Sequence, residues 1–247
     1  MPTRNHAYLL PSLLTLGNLL SGFLAIVVLS GAGVENPALT AAGLILLAAL
    51  LDGFDGLAAR RLGVASEFGG RLDSLADVVS FGAAPALLVC ELSRPAGRLA
   101  WGAAAWLLSA TALRLARYDA SGDPPGRFEG LPCPAAGATI AAAVIALAGT
   151  KGGSQPYLLP ALALGLGVLM VSQIAYPRLR VTSRPREFGF VAAVLLTVAV
   201  GVSLGGYAPL VICVLFIGSP LYPTSVPDWR LQRRSLGRLL FSRRRDG

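Results

Sequence analysis

Long apolar runs separated by short polar breaks are the dominant pattern of this 247-residue chain. A helix needs about 20 apolar residues to cross the hydrocarbon core of a bilayer. The breaks between the runs carry glycine, proline, asparagine or charge, as turns do. The pattern therefore predicts an all-α, polytopic membrane bundle of eight transmembrane helices: Leu9–Leu29, Ala38–Leu57, Leu72–Leu92, Leu99–Leu115, Ala135–Ala148, Tyr157–Tyr176, Phe188–Leu204 and Ala208–Leu221.

The composition agrees with a membrane protein. Hydrophobic residues make up 54% of the chain and charged residues only 14%, against about 25% charged residues in a soluble domain. The net charge of +8 comes from basic residues scattered through the predicted loops and a tail, without an aromatic-interleaved basic patch. This distribution favours a membrane surface over nucleic acid as the partner. The first run lacks a strongly basic start and a cleavage site, so we expect it to be retained.

The positions of lysine and arginine predict the orientation. With both termini in the cytoplasm, 18 of the 21 basic residues face the cytoplasm, and only Arg94, Arg98 and Lys151 lie outside. This positive-inside bias predicts an N-in, C-in protein of the inner cell membrane. Residues 1–226 would form one transmembrane catalytic domain. Residues 227–247 would form a basic tail that is either an amphipathic helix on anionic lipid or disordered.

Cysteine and histidine offer little chemistry. Cys90, Cys133 and Cys213 show no C-x-x-C spacing, and His6 is the only histidine. A disulfide framework, a zinc site and catalysis by a histidine base are therefore disfavoured.

Four aspartates stand inside this apolar pattern, at the end of the second predicted span and the start of the third. Asp52 and Asp55 are three residues apart and Asp73 and Asp77 are four apart, so each pair shares one helix face. A carboxylate at membrane depth costs roughly 2.5–3.5 kcal/mol on insertion scales, so it is rarely present without a partner or a function. One such aspartate is often structural, but four on adjacent helix ends point to a divalent-metal site.

The residues around the aspartates suit a phosphate substrate. Magnesium commonly bridges carboxylates and substrate phosphates, and paired ions stabilise both the attacking and the leaving oxygen at phosphorus. Gly56 and Ala59 would let a diphosphate approach the helix backbone, as Gly69 would at the entry of the next helix, and Arg60 adds a cation that can pair with phosphate.

The pattern D-x2-D-G-x2-A-R-x8-G-x3-D-x3-D, from Asp52 to Asp77, resembles the signature of the CDP-alcohol phosphotransferases and matches all eight of its fixed positions. The resemblance implies a six-helix membrane core that displaces CMP from a CDP-linked donor by an alcohol. It also implies that the four aspartates hold two Mg²⁺ or Mn²⁺ ions and that Asp77 is the general base. The CDP pocket would be lined by Gly56, Ala59, Arg60, Gly69, Thr15 and Asn18.

Three further stretches resemble the integral-membrane CDP-diacylglycerol–serine phosphatidyltransferases. They begin at Pro11, Val78 and Arg114, and the likeness extends from about Pro11 to Ala142. Ser12, where that family has asparagine, and Cys133, where it has a small hydroxyl residue, depart from the pattern. The resemblance implies CDP-diacylglycerol and L-serine as substrates. Arg114 and Arg117 share a helix face and are candidates to bind the acceptor, although a role as positive-inside anchors is as plausible.

Alternative functions stay open at this point. Another acceptor, such as glycerol 3-phosphate or an inositol phosphate, fits the same motif. A divalent-cation transporter would also use membrane carboxylates, but it predicts that they spread along a pathway. A dimer is expected, with Gly201 and Gly205 as a weak small-residue signal for helix packing.

Overall fold

The computed structural model describes residues 9–64, 66–121, 127–148 and 156–177. The predicted spans Phe188–Leu204 and Ala208–Leu221 and the tail lie outside these residues. The described chain is helical apart from one pair of short strands. In chain order the elements are α1 Leu9–Leu29, α2 Pro37–Leu62, α3 Glu67–Asp77, a π-helical segment Val78–Ala83, α4 Ala84–Leu92, a 3-10 turn Arg94–Ala96, α5 Arg98–Ser121, β1 Arg127–Glu129, α6 Cys133–Ala148, α7 Leu158–Val171 and β2 Ala175–Pro177.

Four helical stretches of the described residues are long and apolar enough to cross a membrane, with lengths of 21 to 26 residues. The third consists of α3, the π-helical segment and α4 taken together. The four stretches correspond to the first four predicted spans, and α1 has the predicted bounds. The helices α2, α3 and α5 extend beyond the predicted apolar runs into polar sequence. The apolar helices α6 and α7 are shorter, with 16 and 14 residues. The chain is thus a multi-pass membrane protein, and the total of eight spans with cytoplasmic termini stays a prediction.

The sixth predicted span, Tyr157–Tyr176, is wrong at its end. The helix α7 ends at Val171, where Ser172 takes an extended backbone conformation and its hydroxyl accepts a hydrogen bond from the Ile174 amide. β2 then pairs antiparallel with β1. Pro177 cannot continue a helix because it lacks an N–H group. The all-α class is confirmed for the described residues, and this short two-stranded ladder is an addition that the sequence did not predict.

Small residues allow the helices to pack closely. The helix α1 lies along α2, α5 lies along α7, and α2 also packs against α6. Alanine is the commonest residue of the buried core. A Cβ atom built on Gly22 would lie 2.6 Å from the Ser80 Cα, and one on Gly137 would lie 3.2 Å from the Phe81 Cα. Both glycines therefore permit backbone contact with the π-helical segment.

The π-helical segment follows Asp77 directly. Within it the Ala84 amide donates to the Val79 carbonyl five residues earlier, instead of four. Pro85 comes next and cannot donate, and its ring would clash with the carbonyl of Phe81 in a regular helix. The wider turn relieves that clash and brings Ser80 against α1. Single π turns of this kind are frequent at functional sites.

Candidate metal and phosphate site

The helices α2 and α3 form a tight hairpin that brings the two aspartate pairs to one end of the bundle. Gly63 ends α2 with a φ of 63°, a conformation that glycine adopts without strain. Ser66 begins α3, and its Oγ accepts a hydrogen bond from the Gly69 amide at 3.0 Å. Gly69, predicted to line the CDP pocket, therefore lies in the first turn of α3.

Three of the four predicted carboxylates converge. Oxygen atoms of Asp52, Asp55 and Asp73 all lie within 4.8 Å of one another. Asp77 is not part of that group, but it lies beside it, within electrostatic range of Asp52, Asp55 and Asp73. Asp55 and Asp77 are buried, and Asp52 and Asp73 are half-buried. The predicted convergence is thus found for three aspartates, with the fourth adjacent.

The helix α1 supplies hydrogen bonds to both pairs. Thr15 donates from Oγ1 to the Asp55 Oδ2 at 2.8 Å, and Asn18 donates from Nδ2 to the Asp77 Oδ1 at 3.3 Å. Ser80 in turn donates to the Asn18 carbonyl at 2.9 Å. Polar side chains of α1 therefore orient one carboxylate from each pair, as the second layer of a metal site does.

The residues present fit a divalent cation. Hard cations prefer carboxylate oxygens, and the like charges of this cluster repel one another unless a cation joins them. The Oδ1 atom of Asp73 is buried and has no hydrogen-bond partner among the described residues. A buried carboxylate oxygen without a donor is unfavourable in the protein alone, and a bound cation would satisfy it.

The other predicted phosphate-binding residues follow on α2. Gly56 and Ala59 are half-buried on the last turns of that helix, and Arg60 belongs to the same helix. A turn and a half of helix thus separates Asp55 from Arg60.

The two predicted acceptor-binding arginines have different environments. Arg114 is buried and donates from Nη1 to the Cys133 sulfur at 3.6 Å, while its Nε has no hydrogen-bond partner within the described part of the chain. Arg117 instead donates to backbone carbonyls, at 2.9 Å to Glu129 and 3.1 Å to Val171, with Met170 and Ser172 at 3.5 Å.

Two links near the site were not expected from the sequence. Ser74 donates to the Asp119 carboxylate at 2.9 Å, which ties the helix between Asp73 and Asp77 to the end of α5. Ser80 holds the backbone of Asn18, as described above. The Asp77–Ser80 spacing of three residues is a signal that could have suggested the second link; nothing local to Asp119 suggests the first.

A match to a known family settles the classification. The model of the CDP-alcohol phosphatidyltransferase family matches residues 8–200, most of the chain. The chain belongs to this family. The match includes the α2–α3 hairpin with its four aspartates, so the family assignment and the carboxylate cluster agree.

Individual relatives of this family member carry more specific names. It is 34% identical to the CDP-diacylglycerol–serine O-phosphatidyltransferase of Helicobacter pylori (strain 26695) over 182 residues, covering 71% of this chain and 75% of the relative. The enzyme of the same name from Mycobacterium tuberculosis (strain H37Rv) is 33% identical over 220 residues, covering 85% and 74%. The archaetidylserine synthase of Methanothermobacter thermautotrophicus is 33% identical over 171 residues, covering 68% and 70%.

Proposed function

We propose that this chain is a phosphatidylserine synthase, which transfers the phosphatidyl group of CDP-diacylglycerol to the hydroxyl of L-serine and releases CMP. The observation that carries the proposal is the cluster of Asp52, Asp55 and Asp73, with Asp77 beside it. The acceptor rests on the names of the relatives, which cover two thirds or more of both chains.

The four aspartates would hold two divalent ions, Mg²⁺ or Mn²⁺. When bound, such ions neutralise the charge of the diphosphate and of the leaving CMP. Gly56, Ala59, Arg60 and Gly69 would line the CDP pocket, with Thr15 and Asn18 at its α1 side. The hydrogen bonds from Thr15 to Asp55 and from Asn18 to Asp77 support this arrangement, because they join α1 to the carboxylate cluster.

The transfer breaks one bond at phosphorus and forms another. The seryl hydroxyl oxygen bonds to the β-phosphorus of CDP-diacylglycerol, and the bond from that phosphorus to the bridging oxygen breaks. The bridging oxygen leaves with its electron pair as part of CMP. Asp77 accepts the hydroxyl proton as general base, and Asn18 fixes the orientation of its carboxylate. Catalysis then comes mainly from positioning and charge neutralisation.

The site would face the cytoplasm of the inner membrane, where a lipid head group and soluble serine meet. The positive-inside bias supports this orientation. We further propose that the working unit is a homodimer.

A divalent-cation transporter fits the geometry less well. Its carboxylates would lie along a path through the membrane. Here Asp52, Asp55 and Asp73 gather at one end of a helical hairpin, beside small residues that suit a phosphate.

Release of CMP tests the proposal. The purified full chain in detergent or nanodiscs, with Mg²⁺ or Mn²⁺, receives CDP-diacylglycerol and one acceptor at a time: L-serine, glycerol 3-phosphate, inositol phosphate or none. We expect CMP release with serine and a lipid product that contains serine. CMP release with every acceptor except serine would overturn the assignment of serine as the acceptor. No CMP release with any acceptor would overturn the enzymatic function.

A further inference from the structure

We propose that Arg114 binds the carboxylate of the amino-acid acceptor, whereas Arg117 is a positioning residue that does not contact substrate. The inference rests on the proposed function. The spacing of the two arginines suggests acceptor binding for both, and the inference assigns that role to Arg114 alone. It identifies the acceptor class as a zwitterion that carries a carboxylate next to its amino group.

Arg114 is a buried cation with unsatisfied hydrogen-bonding capacity. It is 7% exposed, and within the described ranges its Nε atom has no hydrogen-bond partner. Its one polar contact among the described residues is the Cys133 sulfur, 3.6 Å from Nη1. A thiol is a weak acceptor, and a buried guanidinium without a carboxylate is unfavourable. A substrate carboxylate would supply the missing charge and hydrogen bonds, in the paired geometry that arginine favours.

The position of Arg114 suits the acceptor. The Cys133 sulfur that it contacts lies within electrostatic range of Asp77 and Asp52. In serine, two carbon atoms separate the hydroxyl oxygen from the carboxyl carbon. A seryl hydroxyl beside Asp77 would therefore keep its carboxylate close to the Cys133 sulfur, which Arg114 contacts.

Arg117 already makes several hydrogen bonds to backbone carbonyls of the protein. Its guanidinium donates to the carbonyl of Glu129, the last residue of β1, and to the Val171 carbonyl at the end of α7. It meets the free carbonyls of a helix C-terminus, where a cation is favourable. The same junction is closed by the Gly130 amide, which donates to the Ile174 carbonyl at 2.9 Å, and by the Leu131 amide, which donates to the Leu169 carbonyl at 3.0 Å.

This hydrogen-bonded junction lies next in sequence to Cys133, the residue that Arg114 contacts. Cys133 begins α6 two residues after Leu131. By fastening residues 129–131 to α7, Arg117 fixes where α6 starts and so where the Cys133 sulfur meets Arg114. Loss of Arg117 would therefore disturb the site as a whole, without a preference for one acceptor.

A comparison of two acceptors separates the roles. L-serine and ethanolamine both offer a hydroxyl and an amine, but only serine has the carboxylate. The kcat/KM for each acceptor is measured with CDP-diacylglycerol for the wild type and for Arg114→Gln, Arg114→Lys, Arg117→Gln and Arg117→Lys, together with the Tm of each purified protein. The discriminating quantity is the ratio of kcat/KM for serine to that for ethanolamine.

We expect Arg114→Gln to lower kcat/KM for serine by about 10- to 100-fold, as expected for a charged hydrogen bond, with little change for ethanolamine. Arg114→Lys keeps the charge and should retain part of the preference. Arg117→Gln should lower the Tm and the kcat/KM for serine and for ethanolamine, while the ratio of the two kcat/KM values stays unchanged. Arg117→Lys should partly restore the Tm and the two kcat/KM values. If ethanolamine turnover is undetectable in the wild type, the KM for serine replaces the ratio: it should rise in Arg114→Gln at an unchanged KM for CDP-diacylglycerol.

Equal losses for both acceptors in Arg114→Gln, or an unchanged KM for serine where only serine reacts, would overturn the inference. So would a collapse of the ratio in Arg117→Gln. Each of these three results leaves the proposed function intact, because the wild type still converts serine. A wild type that releases no CMP with serine defeats the proposed function itself.

Discussion

Thr15 and Asn18 illustrate how single side chains prepare the site before any ligand arrives. Each donates one hydrogen bond to a carboxylate on another helix, Thr15 to Asp55 and Asn18 to Asp77. Groups in this outer layer set the orientation of the ligand oxygens, and their loss commonly reduces metal affinity or activity by about 10- to 100-fold. The aspartates therefore depend on α1 as well as on their own hairpin.

Thr15→Val removes the hydroxyl at nearly constant volume. We expect activity at saturating lipid and serine to require a higher Mn²⁺ or Mg²⁺ concentration, with a shift of about 10-fold or more. Thr15→Ser keeps the hydroxyl and serves as the matched control. The measurement is a metal titration of CMP release. Identical metal titrations for Thr15→Val and the wild type would mean that the Thr15 hydroxyl does not support the metal centre.

Asp73→Asn and Asp77→Asn remove one negative charge each from the site. We expect either change to abolish measurable turnover, because Asp73 is a proposed metal ligand and Asp77 the proposed general base. Glu67→Gln is the control: it is the same kind of change on α3, at an exposed residue paired with Arg71. It should leave turnover near the wild-type value. Near-normal activity in either aspartate variant, with normal membrane insertion, would refute the role given to that residue.

At the scale of elements, the contact of α1 with the π-helical segment couples helix packing to the site. A Cβ on Gly22 would lie 2.3 Å from the Ser80 Oγ, closer than real Cβ contacts occur. The same Ser80 hydroxyl donates to the Asn18 carbonyl. Any methyl group at Gly22 must therefore push α1 away from the residue that holds Asn18, and with it from Asp77.

Gly22→Ala should lower the Tm of the purified protein by several degrees and reduce turnover, since overpacking typically costs about 1–3 kcal/mol. Gly43→Ala is the control, because a Cβ on that exposed α2 glycine meets nothing within 4 Å. It should be neutral or slightly stabilising, as alanine is the better helix former. A Gly22→Ala protein with unchanged Tm and turnover would show that the contact is not required.

The elements also show what local sequence can predict. Apolar runs located the four described stretches that are long enough to cross a membrane, because bilayer thickness selects them by length, and they also located the shorter apolar helices α6 and α7. The convergence of the aspartates could also be predicted from local sequence, since Asp52 and Asp77 lie within a stretch of 26 residues. The pairing of β1 with β2 was missed, because it joins segments nearly 50 residues apart. The separate environments of Arg114 and Arg117 depend on α6 and α7 and could not be deduced from their spacing.

At the scale of the whole molecule, the proposed orientation assigns each described connection to one side of the membrane. The link between α2 and α3 would face the cytoplasm, and the turn between α4 and α5 would face outward. Ser66 and Pro95 are exposed residues of these two connections. They offer a direct test of the positive-inside prediction.

Single cysteines at these positions should react differently with a membrane-impermeant maleimide. In a Cys90→Ala background, Pro95→Cys should be labelled in intact cells, and Ser66→Cys only after the membrane is permeabilised. The background protein alone gives the baseline for Cys133 and Cys213. The reverse pattern would invert the topology and put the aspartate cluster on the outer side.

The short connection between α2 and α3 bears on how the protein is made. All four aspartates lie on this one helical hairpin, so the ribosome delivers them within a few seconds of one another, at about 5–20 residues per second. The four carboxylates then enter the membrane together as part of the hairpin, although each one alone is unfavourable there. Thr15 and Asn18 lie in α1, which precedes the hairpin in the chain and is therefore synthesised before it. Biogenesis of this enzyme thus has an order in which the orienting side chains are in place before the charged ligands arrive.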